Sequence, residues 1–411
     1  MSDVLARFLK YVTYDTQSNE ASQTYPSTAK QLTLLKHLAA ELWHLGLTDA
    51  AIDKHGYVTA TIPSTSGKLD VPTIGFIAHV DTSPEMSGTN VKPIVHRVYD
   101  GRDLVLPDDP AAALRMADNP ALQDRLGDDI VTASGTTLLG ADNKAGVAEI
   151  VTAAAALMAE RSHPHGRIRI AFTPDEEVGR GTKHFDVAEF GAQYAYTMDG
   201  GTRGEVESES FSADAITVTF FGFNTHPGFA RGRMVNAIKI AADFIHALPR
   251  DGVSPETTDD YDGFVHPYVM QAGVDQTSVK LIVRDFQTAG LKEKEALIER
   301  LAGEALAGYS GARVEFAVEE QYRNMREVLD RHPQVTEYAR EAVRRAGLEV
   351  HERPIRGGTD GSRLSFMGLP TPNIFAGEQN FHSCLEWVSV QDMEKAVEVI
   401  VHLCHVWEER S

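Results

Sequence analysis

Val71-Pro72-Thr73-Ile74-Gly75-Phe76-Ile77-Ala78-His79-Val80-Asp81 is an apolar run that ends on an imidazole and a carboxylate. A continuous apolar run of this length reads as a strand buried on both faces, as in the sheet of an α/β protein. The polar groups begin where the strand stops. The pattern recurs downstream: Arg167-Ile168-Arg169-Ile170-Ala171-Phe172-Thr173 runs into Pro174-Asp175-Glu176-Glu177-Val178-Gly179, and Tyr194-Ala195-Tyr196-Thr197 runs into Met198-Asp199-Gly200-Gly201. Between them, Leu138-Leu139-Gly140-Ala141-Asp142-Asn143-Lys144-Ala145-Gly146 leads into an alanine-rich helix, which puts Asp142 at a helix entrance. Strands alternating with helices and tipped with acids or imidazoles place a ligand site beyond the carboxyl ends of an α/β sheet.

Outward from this centre, helices are expected over residues 4–12 and 28–45, with a strand pair around 57–62. Residues 84–130 are rich in Pro, Asp and Gly and read as a surface excursion rather than a core element. From about residue 211 the pattern changes to strand 215–221, helix 234–248, strand 278–286, helix 292–307 and strand 313–319, a small α+β unit inserted within the first. The chain then returns to a helix at 333–346, a strand ending near Phe375 and a last helix over 391–408. No repeat of solenoid period and no low-complexity tract occurs.

Composition narrows the function classes. A formal net charge of −20, with no basic run to override it, disfavours nucleic acid and anionic membrane as partners. The longest apolar stretch, 150–159, is far short of the ~20 residues needed to span a bilayer. Met1-Ser2-Asp3-Val4-Leu5-Ala6-Arg7 lacks a basic start followed by an apolar run, and only Cys384 and Cys404 are present. Cytoplasmic residence in a reducing compartment is the expectation. No G-x-S-x-G elbow, G-x-x-x-x-G-K-[ST] phosphate loop, H-E-x-x-H helix or C-x-x-C pair appears.

The candidate residues are His79, Asp81, Asp142, Glu176, Glu177, Asp199 and His382. Two first-row cations held near each other need several anionic oxygens to offset the doubled charge, with imidazoles completing each shell. Two His with Asp, Asp and Glu supply that mixture. His79 and Asp81 stand two apart, so on a strand that persists to its tip they face one side. Asp81 is then either a second ligand or the group that holds the imidazole; the latter is favoured, because a metal-bound His donates its free N–H to a carboxylate. Adjacent Glu176 and Glu177 cannot both point one way, so one binds metal while the other handles protons. Taken singly, Asp142 can be a helix cap, Asp199 part of a turn, Glu176-Glu177 solvated charges and either His a hydrogen-bonded core residue. Their shared placement at successive strand tips carries the functional reading.

At Tyr14-Asp15-Thr16-Gln17-Ser18, Gly75-Phe76-Ile77-Ala78-His79-Val80-Asp81-Thr82-Ser83-Pro84, residues 138–149, Phe172-Thr173-Pro174-Asp175-Glu176-Glu177-Val178-Gly179 and Pro354-Ile355-Arg356-Gly357-Gly358-Thr359-Asp360-Gly361, the sequence resembles the dinuclear-zinc exopeptidases. That family also holds aminoacylases and carboxypeptidase G-like enzymes. The order His-x-Asp, Asp, Glu-Glu, Asp, His is shared by the wider family, whereas the long flanking matches point to its branch of tripeptide aminopeptidases, peptidase T.

The resemblance implies an α/β fold: a mixed-sheet catalytic domain over 1–210 and 322–411, with a smaller α+β lid and dimerisation domain inserted at 211–321. It implies two Zn2+ per subunit, with Mn2+ or Co2+ as substitutes. His79 and Asp199 would hold one, Glu177 and His382 the other, with Asp142 bridging. Asp81 would orient His79, and Glu176 would be the general base that takes the proton from a metal-bridging water. In the lid, His226 of Asn224-Thr225-His226-Pro227-Gly228 would stabilise the oxyanion. Arg284 and Arg356 would position substrate, a role that competes with structural ion pairing. The substrates implied are short peptides with a free N-terminus, above all tripeptides, and the assembly a homodimer through the lid. Sister hydrolases in the family use the same metals on N-acyl amino acids or dipeptides. Two segments depart from the family pattern: Asn143 stands where a second Asp is usual, and Gly377-Glu378-Gln379-Asn380-Phe381-His382-Ser383-Cys384-Leu385-Glu386 replaces a segment richer in Gly and His.

Overall fold

The computed structural model describes residues 2–160 and 163–411. Two compact units emerge: Met1–Ser208, Val328–Arg353 and Thr359–Ser411 form the larger, and Glu209–Glu327 with Pro354–Gly358 the smaller.

In the larger unit a seven-stranded sheet runs in the order Ala51–Ile52, Val58–Ile62, Ile168–Thr173, Ile74–His79, Tyr194–Gly200, Asn373–Phe375 and Val206–Glu207. Its four central strands are parallel and the outer pairings antiparallel, which makes the sheet mixed. Ile74–His79 is buried at every position, as the unbroken apolar run requires. Helix Ala141–Ala159 packs on this strand and against the helices Asp3–Tyr11 and Val390–Glu409. Its buried positions are mostly Ala, Gly and Val, so the helix can approach the sheet closely. Phe8, Leu38, Phe76, Phe172, Tyr196 and Leu403 join one continuous core.

The expectation of a coreless surface excursion at 84–130 is corrected. Ile94–His96 and Ile130–Thr132 join Trp387–Ser389 and Glu378–Gln379 in a four-stranded sheet. Tyr99, Leu104, Leu114, Leu122, Ile130 and Trp387 bury a satellite core beneath it. Polar and Gly-rich spacing hid these apolar residues because the satellite core is assembled partly from a segment more than 250 residues away.

The smaller unit is an antiparallel sheet in the order Phe264–Ala272, Gln276–Asp285, Ser212–Phe221, Arg313–Tyr322. Helices Ala237–Ala247 and Thr288–Glu304 pack on it around Ile216, Val218, Phe220, Phe244, Leu281 and Ile298. The edge strand Phe264–Ala272 lies outside the strands expected from the sequence pattern. It contains Pro267, where the register shifts, and it lies on the sheet edge, where a missing N–H is tolerated. Pro354–Gly358, expected in the closing part of the catalytic domain, packs with this unit instead. The Ile355 N–H donates to the Glu209 carbonyl, the Phe211 N–H to the Ile355 carbonyl, and the Arg356 guanidinium lies 5.1 Å from the Phe211 ring centre.

Candidate active site

The sheet register brings the acids together. Ile77 pairs with Thr197, so two residues further on Asp199 stands beside His79. His79 itself pairs with Thr173, so the Glu176-Glu177 loop starts at the same level. His79 Nε2 lies 3.0 Å from Asp142 Oδ1 and 3.3 Å from Asp199 Oδ1. His382 Nε2 lies 2.8 Å from Glu177 Oε2 and 3.3 Å from Asp142 Oδ2. Asp142 therefore turns one oxygen to each imidazole. The result is two donor groups, His79-Asp142-Asp199 and Asp142-Glu177-His382, each with its ligand atoms within 4.8 Å of one another. Two imidazoles facing three carboxylates, with Glu177 Oε1 buried and without a partner among the described residues, offer a donor set that could hold a pair of first-row cations.

The Glu176-Glu177 turn is held from beneath. Asp175 adopts a left-handed backbone, φ 62°. Its carboxylate accepts the Ser27 N–H at 2.7 Å and the Gln31 Nε2–H at 2.7 Å, with the Ser27 hydroxyl as a third donor. The Asp81 carboxylate accepts the Glu176 N–H at 3.0 Å and the Glu177 N–H at 3.2 Å. The strand ends at His79, so Asp81 lies past it. His79 Nδ1 sits 3.1 Å from the Asp81 carbonyl oxygen and 3.4 Å from Asp81 Oδ1. Asp81 thus divides its polar atoms between the imidazole and the carboxylate turn.

Charge is balanced inside the cluster. Burial opposes a proton on His79, but Asp199, Asp142 and Asp81 outweigh it and raise the imidazole well above its ordinary value. His382 is pushed up to about 11 by its contacts with Asp142 and Glu177. Burial works against ionising Asp142, yet the two imidazoles hold it below the usual carboxylate range. Burial, then Asp142, pushes Glu177 up to about 8, and burial raises Glu176 well above its ordinary value. Without a cation, protons on the imidazoles offset the carboxylates.

Asp142 enters its helix by an irregular path: Gly140 has φ 80°, and the Asp142–Asn143 peptide is cis. Asn143 is buried, and its Oδ1 accepts the Gly146 N–H at 3.1 Å. An uncharged side chain at this position therefore does the work of a helix cap. Three acids that sequence patterning missed stand close by. Glu85 Oε2 lies 3.2 Å from His382 Nδ1. Asp360 accepts the Thr173 hydroxyl at 3.0 Å, and burial pushes it up to about 7. Glu386 is buried against the loop before Asp142. Asp360 lies in a segment that carries the family resemblance and Glu386 in one that departs from it, but none of the three has a local spacing that announces its partner.

His226, Arg284 and Arg356 all belong to the smaller unit. His226 is exposed, and its Nδ1 accepts the Gly228 N–H at 3.1 Å. Arg284 Nη1 donates to the Arg356 carbonyl at 3.0 Å, while its Nε is buried without a hydrogen-bond partner among the described residues. Arg356 Nη1 donates to the carbonyls of Asp260 at 2.6 Å and Asp262 at 3.1 Å.

Residues 137–405 match the family model described as Peptidase family M20/M25/M40. The chain belongs to this peptidase family. Within M20/M25/M40, a peptidase T of a Geobacillus species is 46% identical over 410 residues, covering 100% of both chains. The crystal structure of an aminopeptidase PepT from Bacillus cereus aligns with a TM-score of 0.75 at 23% identity, over 98% of each chain. A Bacillus subtilis protein described as a dinuclear metal binding peptidase from the M20 family aligns with a TM-score of 0.65 at 17% identity, over 99% of this chain and 98% of its own. At these identities the structural likeness is one of fold. Among the described residues, no helix of this M20/M25/M40 member is long and apolar enough to cross a membrane.

Proposed function

We propose that the chain is a metal-dependent aminopeptidase that releases the N-terminal residue from short peptides, tripeptides foremost. The observation that carries this reading is Asp142, with one oxygen toward each of two imidazoles, beside a carboxylate, Glu176, that belongs to neither donor group. The full-length match to a peptidase T supports the choice of substrate. His79 and Asp199 would hold one cation, Glu177 and His382 the other, and Asp142 would be shared. Zinc suits this His and carboxylate mixture, with manganese or cobalt as substitutes.

Bound there, the cations would supply Lewis-acid polarisation of the scissile carbonyl and a lowered pKa of water. Glu176 takes the proton of the attacking water and delivers it to the leaving amine. Asp81 orients His79 and, through the amides of Glu176 and Glu177, holds the base and its neighbouring ligand in one turn. In the smaller unit, His226 accepts at Nδ1, so Nε2 carries the ring proton and can donate to a developing oxyanion. Arg284, whose Nε has no hydrogen-bond partner among the described residues, is the group for the substrate carboxylate, and Arg356 supports it by accepting from Arg284 at its carbonyl while its guanidinium binds the Asp260 and Asp262 carbonyls. Dimerisation through this unit is supported by its edge strand Phe264–Ala272, which exposes Tyr268, Val269 and Met270. Two free cysteines and the absence of a bilayer-spanning helix among the described residues fit work in the cytoplasm.

The test is a panel of substrates given to zinc-loaded protein: a tripeptide with a free N-terminus, the same tripeptide acetylated, a dipeptide and an N-acyl amino acid. The free tripeptide should be cut fastest at its first bond. Preference for the N-acyl amino acid would move the assignment to a sister hydrolase.

A further inference from the structure

The loop that presents Asp142 is held by an acid outside both donor groups. Glu386 is 1% exposed. Its Oε2 accepts the N–H of Leu139 at 2.7 Å and that of Gly140 at 2.8 Å, and its Oε1 accepts the N–H of Asp142 itself at 3.0 Å. The left-handed turn at Gly140 belongs to the same short loop, and a side chain there would crowd Thr82 and Lys144. Lys144, equally buried, donates to the Tyr14 carbonyl at 2.8 Å and has Glu386 as its strongest acidic neighbour. Both carboxylate oxygens of Glu386 are therefore committed to main-chain donors, with a buried ammonium nearby as counter-charge.

Glu386 stands four residues after His382. The intervening segment is stiffened by the Ser383 hydroxyl, which donates to the Asn380 carbonyl at 2.8 Å and accepts the Leu385 N–H at 3.2 Å. His382 has φ 58°, a backbone conformation that non-glycine residues seldom adopt without support. One short segment thus delivers an imidazole to the second donor group and an anchor to the loop of the shared carboxylate.

We infer that Glu386 is a positioning residue for the metal centre: by gripping the amides of Leu139, Gly140 and Asp142 it aims the Asp142 carboxylate and sets its spacing to His382. This rests on the reading of Asp142 as the shared ligand. Gln cannot replace Glu here without turning an NH2 toward at least one main-chain N–H, so Glu386→Gln breaks the grip while conserving volume.

The experiment titrates the full-length metal-free protein with Co2+, following the visible absorption of each bound equivalent, alongside thermal unfolding without metal. Glu386→Gln should weaken binding by about 10- to 100-fold, the usual cost of losing an outer partner of a metal ligand, and should shift the Co2+ spectrum. Glu386→Asp, which keeps the carboxylate, should recover part of both. Asp142→Ala alone tests the reading beneath: it should abolish tight binding of a pair, and wild-type stoichiometry and affinity in that variant would remove the shared-ligand assignment. In the Asp142→Ala background Glu386→Gln should change affinity no further. Wild-type affinity and spectrum in Glu386→Gln, or an equal additional loss in the double variant, overturns the inference. Should Glu386→Gln fail to fold, Glu386→Asp carries the test, and an unchanged affinity and spectrum there overturns it equally.

Discussion

Gly146 lies one turn past Asp142, where helix Ala141–Ala159 packs closely on Met198 of the strand that carries Asp199. A Cβ built on it would lie 2.1 Å from the Met198 carbonyl oxygen and 2.4 Å from Asn143 Oδ1. A carbon and a carbonyl oxygen settle at about 3.3 Å, so about 1.2 Å of separation must be found. Neither neighbour yields readily. Met198 is in the sheet, paired with Ile374, and Asn143 Oδ1 is the acceptor for the Gly146 amide. The available relief is for the helix entrance to lift from the strand, which parts Asp142 from Asp199, the two carboxylates that share His79 Nε2. Gly146→Ala should therefore destabilise the metal-free protein by about 1–3 kcal/mol, as overpacking does. It should also cost roughly 100-fold in tripeptide turnover, the usual effect of a misplacement near 1 Å at a reacting centre. Urea unfolding reads the first effect, and kcat/KM with saturating zinc the second. A variant with the wild-type unfolding midpoint and wild-type kcat/KM would refute the claim that this close approach sets the spacing of the ligands.

Glu176→Ala should retain both cations and lose about 10²- to 10⁴-fold in kcat, the range for a general base; near-normal turnover removes that role. In the metal-free protein Glu177 is pushed up to about 8 and His382 up to about 11. Each must shed its proton to bind a cation, so affinity should rise with pH through the Glu177 value and onward toward that of His382, with protons released on binding; flat affinity between about pH 6 and 9 contradicts this. Phe244 is fully buried in the smaller unit, its ring centre 5.5 Å from that of Phe220. Phe244→Ala should cost about 3–5 kcal/mol in the stability of that unit while leaving the cation stoichiometry at its wild-type value, measured by denaturation and metal analysis.

The legible parts of this molecule are those whose signal is local. His79, Glu176, Glu177 and Asp199 each follow an apolar or alternating run, and the strands Ile74–His79, Ile168–Thr173 and Tyr194–Gly200 lie where those runs fall. The inserted unit shows in the changed rhythm after residue 211. Strand Phe264–Ala272 escapes because Pro267 interrupts it and most of its outer half is exposed, so neither alternation nor continuity marks it. Tyr99, Leu104 and Leu122 escape as core residues because the partner that covers them, Trp387, arrives from the far end of the chain. Glu386 escapes for the same reason: the amides it holds lie up to 247 residues away.

Residue chemistry along the chain was enough to mark the strand tips and the kinds of donor placed there, because burial periodicity and ligand type are written residue by residue, whereas the type of reaction came through the resemblance of the motif segments to the dinuclear-zinc exopeptidases. Tertiary structure alone decided the distances at which Asp142 faces both imidazoles, that Asp81 serves the carboxylate turn as well as His79, and that Glu386 grips the loop leading into Asp142. These depend on strand register and on hydrogen bonds spanning roughly 100 to 250 residues, and no short-range pattern encodes a distance that only the closed fold creates.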